Sequence, residues 1–80
     1  MGYKRPRPEF LAEKLLLIRL RKLKLTQPQL AKLLGVRTYN DISKYERNVN
    51  EPPLAVLLAY SRAAKIQLEN LIDDDLDLFD

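Results

Sequence analysis

The amino-acid sequence predicts an all-α fold of five short helices. Apolar residues recur at helical spacing along most of the chain, and helix-starting and helix-stopping residues separate those stretches. No alternating strand pattern occurs anywhere in the 80 residues. Helix 1 is expected from about Phe10 to Leu23, with Pro8 suited to its first turn and Glu9 and Glu13 near the positive end of its dipole. Leu11, Leu15 and Ile18 form one apolar line and Leu16, Leu20 and Leu23 another, so this helix should lie in the core. Thr26 is a good N-cap for helix 2, about Gln27 to Leu34, and Gly35 is expected to stop it in the left-handed conformation. Thr38 starts helix 3, with Asp41 placed to complete a capping box, and Asn48 can take the left-handed turn that ends it near Arg47. Pro52-Pro53 heads helix 4, with Leu54, Leu57, Leu58 and Ser61 on one face, running to about Ala64. A brief helix 5 covers Leu68 to Ile72.

Composition narrows the function. The chain has no cysteine and no histidine, which removes a disulfide framework, thiolate metal sites, the commonest transition-metal ligand and the commonest general base. No glycine-rich phosphate loop and no nucleophile–base pair stand out, so an enzyme is not expected, and no cofactor is called for. The longest apolar run, Leu15 to Ile18, is far short of a membrane span, and the charged start lacks a signal peptide's apolar region. A soluble, cytoplasmic protein is the expectation. Its 46% hydrophobic content is enough for one core, though a chain near this length buries only about 60% of its unfolded surface.

Charge is strongly asymmetric. Residues 1–47 carry twelve Lys/Arg against four Asp/Glu, a net of +8, whereas residues 48–80 carry two against seven, a net of −5. A basic half beside an acidic one suits a polyanionic partner at one face, although a solvated surface with an acidic tail explains charge alone equally well. Helix 3 sharpens the point. Ile42, Tyr45, Glu46 and Val49 share an inward face, while Asn40, Ser43, Lys44 and Arg47 share a polar one beside Tyr39. Asn can pair bidentately with adenine, Lys can donate to guanine, and Ser or Thr can serve either role at a base edge.

Thr26-Gln-Pro-Gln-Leu-Ala-Lys-Leu-Leu-Gly-Val36, then Ile42-Ser-Lys-Tyr-Glu-Arg47, then Pro52, closely resembles the Cro/repressor-like (XRE) helix-turn-helix family over about residues 16–72. The resemblance implies a five-helix bundle of the lambda-repressor-like DNA-binding type, with helix 3 as the recognition helix. It further implies a prokaryotic or phage transcriptional regulator that binds double-stranded DNA as a homodimer through helices 4 and 5, where the sequence offers Leu68, Leu71 and Ile72. By the same resemblance, Thr38, Tyr39, Asn40, Ser43 and Lys44 are the candidates to read bases. Gln27, Arg37, Arg47, Asn48 and Asn50 are the candidates to meet phosphates. Glu46 matches an acid paired with an arginine of helix 1, for which Arg21 is the candidate.

The chain departs from the family pattern in three places. The turn between Gly35 and Ile42 is one residue longer, with Arg37 as the addition. Helix 1 stands one residue closer to Thr26, and Asn48 and Lys65 stand where glycine is frequent. Residues 1–7 read as a basic arm, either a disordered terminus or, through Tyr3, Lys4, Arg5 and Arg7, a contact to phosphates or a minor groove. The domain proper is expected over 8–72 and an acidic tail over 73–80. That tail, with Leu76, Leu78 and Phe79 among its aspartates, is open to three readings: disorder, a strip docked on the bundle or a dimer mate, or an acidic cover for the basic face. It lacks the glycine and terminal glutamate of a calcium loop, so no metal is expected. The alternative function is an antitoxin or protein-interaction module working through the acidic C-terminal half.

Overall fold

The computed structural model describes residues 9–78. Its helices follow the expected order: α1 (Leu11–Leu17), α2 (Gln27–Leu34), α3 (Tyr39–Glu46), α4 (Leu54–Ala64) and α5 (Leu68–Ile72), with no strand among the described residues. Leu15, Ile18, Leu30, Ile42, Tyr60 and Leu71 are the largest fully enclosed side chains, so every helical segment sends at least one into a single core. Ala31, 5% exposed, is the small residue that lets α2 and α3 approach closely.

One segment departs from the expected geometry. Directly after α1 the chain continues as a π-helical turn, Ile18–Leu23, in which hydrogen bonds span five residues instead of four. The wider turn rotates the residues beyond it. The apolar line expected at Leu16, Leu20 and Leu23 is therefore broken, and Leu20 is 51% exposed. Lys24 closes the segment in the left-handed conformation (φ 55°), where the Arg19 carbonyl accepts from the Lys24 and Leu25 amides.

The helix ends show how far local chemistry carries. At the start of α2, Thr26 Oγ1 accepts from the Gln29 amide at 3.2 Å, and Gln29 Oε1 accepts from the Thr26 amide at 2.9 Å, a reciprocal capping box. The box expected at Thr38 and Asp41 does not form; Thr38 is the N-cap residue, but no side-chain bond caps the helix. Aspartate is one methylene shorter than the glutamate or glutamine that closes such a box, and the Asp41 amide bonds the Thr38 carbonyl instead. Gly35 (φ 76°) and Asn48 (φ 60°) make the expected left-handed stops, and Lys65 (φ 57°) makes one without glycine. In α4 the buried line is Leu57, Tyr60, Ser61 and Ala64, whereas Leu54 in the first turn projects outward at 64% exposure. Val49, expected inside, lies past the end of α3 and is 52% exposed.

The C-terminal segment is docked on the bundle, one of the three readings open to it. Asp74 accepts from the Glu9 amide at 2.8 Å and the Phe10 amide at 3.1 Å, capping the first turn of α1 from 64 residues away. Lys14, only 7% exposed, donates its ammonium to the carbonyls of Asn70, Asp73 and Leu76 at 2.8, 3.0 and 2.9 Å. Asn70 donates to the Asp77 carbonyl at 2.9 Å, and Leu78 completes the core. The basic arm (1–7), Pro8, Phe79 and Asp80 lie outside the described residues.

Candidate nucleic-acid interface

Glu46 organises the site from below. Its side chain is 4% exposed and forms a forked pair with Arg19, Nε to Oε2 at 2.7 Å and Nη2 to Oε1 at 3.0 Å. Arg19 Nη1 also donates to the Leu25 carbonyl at 3.1 Å. Gln27 Nε2 donates to Glu46 Oε1 at 3.1 Å. One carboxylate thus ties together the π-helical turn, the loop before α2, the start of α2 and the end of α3. The expected partner Arg21 is exposed and takes no part in this cluster. Arg19 follows Leu15 by four residues and so lies on the core-facing side of helix 1. In a regular α-helix Arg21 would share the face of Ile18, but the wide turn carries it outward.

Beside this cluster, the Tyr60 hydroxyl is buried without a hydrogen-bond partner among the described residues. Its phenol is pushed far above the usual tyrosine value, first by burial and then by the charge of Glu46. Tyr45 is raised too, by burial and by Asp41.

Above the cluster, α3 presents Thr38, Tyr39, Asn40 and Lys44 to solvent, and Tyr39 is 50% exposed. No side-chain hydrogen bond or ion pair among the described residues engages Tyr39, Asn40, Lys44 or Arg37. Ser43 differs: it is half-buried, and Arg47 Nε donates to its Oγ at 3.1 Å and its carbonyl at 3.3 Å. Gln27 is half-buried at the α2 end of the same face, while Arg37, Asn48 and Asn50 are exposed on the turns flanking α3. A groove of ≈ 550 Å³ between α2 and α3 is lined by Pro28, Ala31, Lys32, Val36, Arg37, Thr38, Tyr39 and Asn40. Lys32 is the groove's one cation besides Arg37, and the sequence reading did not single it out.

The arrangement defines a class: a short polar helix held across a second helix by a turn, its outer face exposed to solvent. A helix-turn-helix family model matches residues 15–71, and the chain belongs to that family. Among solved structures, the chain is similar to the P22 c2 repressor protein in complex with synthetic operator 9T, at 35% identity and a TM-score of 0.70 over 81% of this chain and 96% of that one. It is also similar to the solution structure of the DNA-binding domain (1–76) of the same repressor, at 32% identity and a TM-score of 0.71 over 94% of this chain and 96% of that one. The fold is therefore the repressor-like helical fold expected from the sequence. No significant match was found among curated proteins. No helix of the described residues is long and apolar enough to cross a membrane.

Proposed function

We propose that this protein is a transcriptional regulator that binds double-stranded DNA sequence-specifically, with α3 in the major groove. The observation that carries the reading is the exposed row Tyr39, Asn40 and Lys44, free of partners among the described residues and held beside the α2 N-terminus by the Arg19–Glu46–Gln27 cluster. The similarity to a repressor solved on its operator supports it. In this reading Thr38, Tyr39, Asn40 and Lys44 address base edges, Ser43 contributes through its contact with Arg47, and Gln27, Lys32, Arg37, Arg47, Asn48 and Asn50 address phosphates.

Each good base contact discriminates by only about 1–3 kcal/mol, so two copies on an inverted repeat provide the specificity that one α3 lacks. Of the apolar residues offered for such pairing, Leu71 is fully buried and Leu68 half-buried, leaving Ile72 (40% exposed) as the accessible member. The interaction-module alternative is not favoured, because Asp74 and Leu78 of the acidic segment are committed to the chain's own bundle.

Selection from a random duplex library tests the reading. The wild-type chain should enrich a palindrome, and Asn40→Ala with Lys44→Ala should relax its preference. Affinity should fall with salt at a log–log slope of about −0.9 per phosphate contacted. An absence of enrichment together with salt-independent binding would sink it.

A further inference from the structure

Between α1 and the C-terminal segment lies an open groove of ≈ 260 Å³, lined by Phe10, Leu17, Leu76 and Leu78 and edged by the Lys14 ammonium and the carboxylates of Glu13, Asp74 and Asp77. Phe10 is 43% exposed and Leu76 40%, so the apolar floor is only partly covered. Three carboxylates stand there against one ammonium, which is spent on the chain's own carbonyls, so the rim is net negative. Two pieces of chain lie outside the described residues. One is Phe79-Asp80 and the other is residues 1–8. Residues 1–8, MGYKRPRP, carry Lys4, Arg5, Arg7 and one aromatic, Tyr3, with no acid.

Residues 1–8 also join the fold at the groove itself, because the Glu9 amide is bonded to Asp74. Tyr3 precedes Glu9 by six residues. At about 3.3–3.6 Å per extended residue this gives a reach of about 20 Å from Glu9, whose neighbour Phe10 lines the groove. Pro6 and Pro8 reduce the conformational freedom that docking must remove.

We propose that residues 1–8 dock in this groove of their own chain, with Tyr3 against Phe10, Leu17 and Leu76 and the three cations over the aspartates of 73–77. On the DNA-binding reading, on which this consequence alone rests, the arm's charges are neutralised within the molecule until duplex phosphates compete for them.

The chain has no cysteine, so a nitroxide on Gly2→Cys is a unique probe in the full-length protein without DNA. The control carries the same label with Lys4→Gln, Arg5→Gln and Arg7→Gln, leaving arm length and attachment unchanged. Paramagnetic broadening at the amides of Leu17, Leu76 and Asp77 should be greater in the first chain than in the control. Each exposed ion pair changes occupancy by a factor of about 1.4 to 5 at low ionic strength. Added salt should bring the first pattern to that of the control. Identical broadening in the two chains, or broadening centred on Tyr39–Lys44, overturns the proposal. Broadening passed from a labelled copy to an isotope-labelled, nitroxide-free copy would place the arm on a second molecule and overturn it too. Because the sample holds no DNA, this result stands or falls separately from the DNA-binding reading.

Discussion

Lys14 and Lys44 carry the same ammonium on the same flexible stem, and Asn70 and Asn40 the same amide, yet the two regions that hold them use these groups in opposite ways. At the seam between α1 and the C-terminal segment, Lys14 is buried with three carbonyl partners and Asn70 is bonded to the Asp77 carbonyl. On the face of α3, Lys44 and Asn40 are exposed with no side-chain partner among the described residues. A polar side chain that closes a structure is one whose bonding capacity is used within the chain. One that awaits a ligand keeps that capacity turned to water. The seam thus reads as structural, and the α3 face as the surface that meets something else.

The largest effect should come at the cluster beneath the α3 face. Arg19→Ala strands the buried Glu46 carboxylate and should cost about 3–5 kcal/mol in urea unfolding, whereas Arg21→Ala should stay within about 0.5 kcal/mol. Equal losses would show that the pairing is misassigned. Next is Lys14→Met, which keeps the apolar stem but leaves three carbonyls without their donor. A loss of about 2–4 kcal/mol is expected, and a loss near zero would break the contrast between the two regions.

The seam should also be acid-sensitive. The Glu9 and Phe10 amides, with Lys14 nearby, hold the Asp74 carboxyl below its ordinary value of 3.8. As pH falls, the unfolded chain takes up this proton before the folded one. The stabilisation is therefore present above the ordinary value and lost as pH drops through the depressed one. The stability gap between the wild type and Asp74→Asn should narrow as unfolding is followed from about pH 5 downward, through the ordinary carboxylate range. The smallest effect is expected at the α3 face itself, where Asn40→Ala and Lys44→Ala should each change stability by no more than about 0.5 kcal/mol. A large thermal shift there would mean that these side chains serve the fold.

The helices were readable because periodicity and caps act locally. Thr26, Gly35 and Asn48 make their turns from their own backbone and side-chain chemistry, and α5 begins and ends where its apolar pattern does. The face of α3 was readable for the same reason, since Ile42 and Tyr45 turn inward at helical spacing and leave Asn40 and Lys44 outside. What failed depended on distant partners or on a change of helical pitch. Arg21 was the wrong arginine because it was carried over from the family pattern, whereas Arg19, four residues after the buried Leu15, is the one that reaches Glu46. The bonds from Asp74 to Glu9 and Phe10 join the two ends of the chain, and no local pattern announces them. Leu54 matches the apolar face of α4 in spacing, but its side chain projects from the first turn and stays 64% exposed.

The wide turn at Ile18–Leu23 has a consequence for how such a domain can change length. A π-turn holds one more residue than an α-turn, so a helix can take up a change of one residue there without re-threading the segments on either side. An insertion or deletion within Ile18–Leu23 can therefore be absorbed while the buried carboxylate and its clamp persist. Alignment by position will misname the clamp's arginine wherever one has occurred.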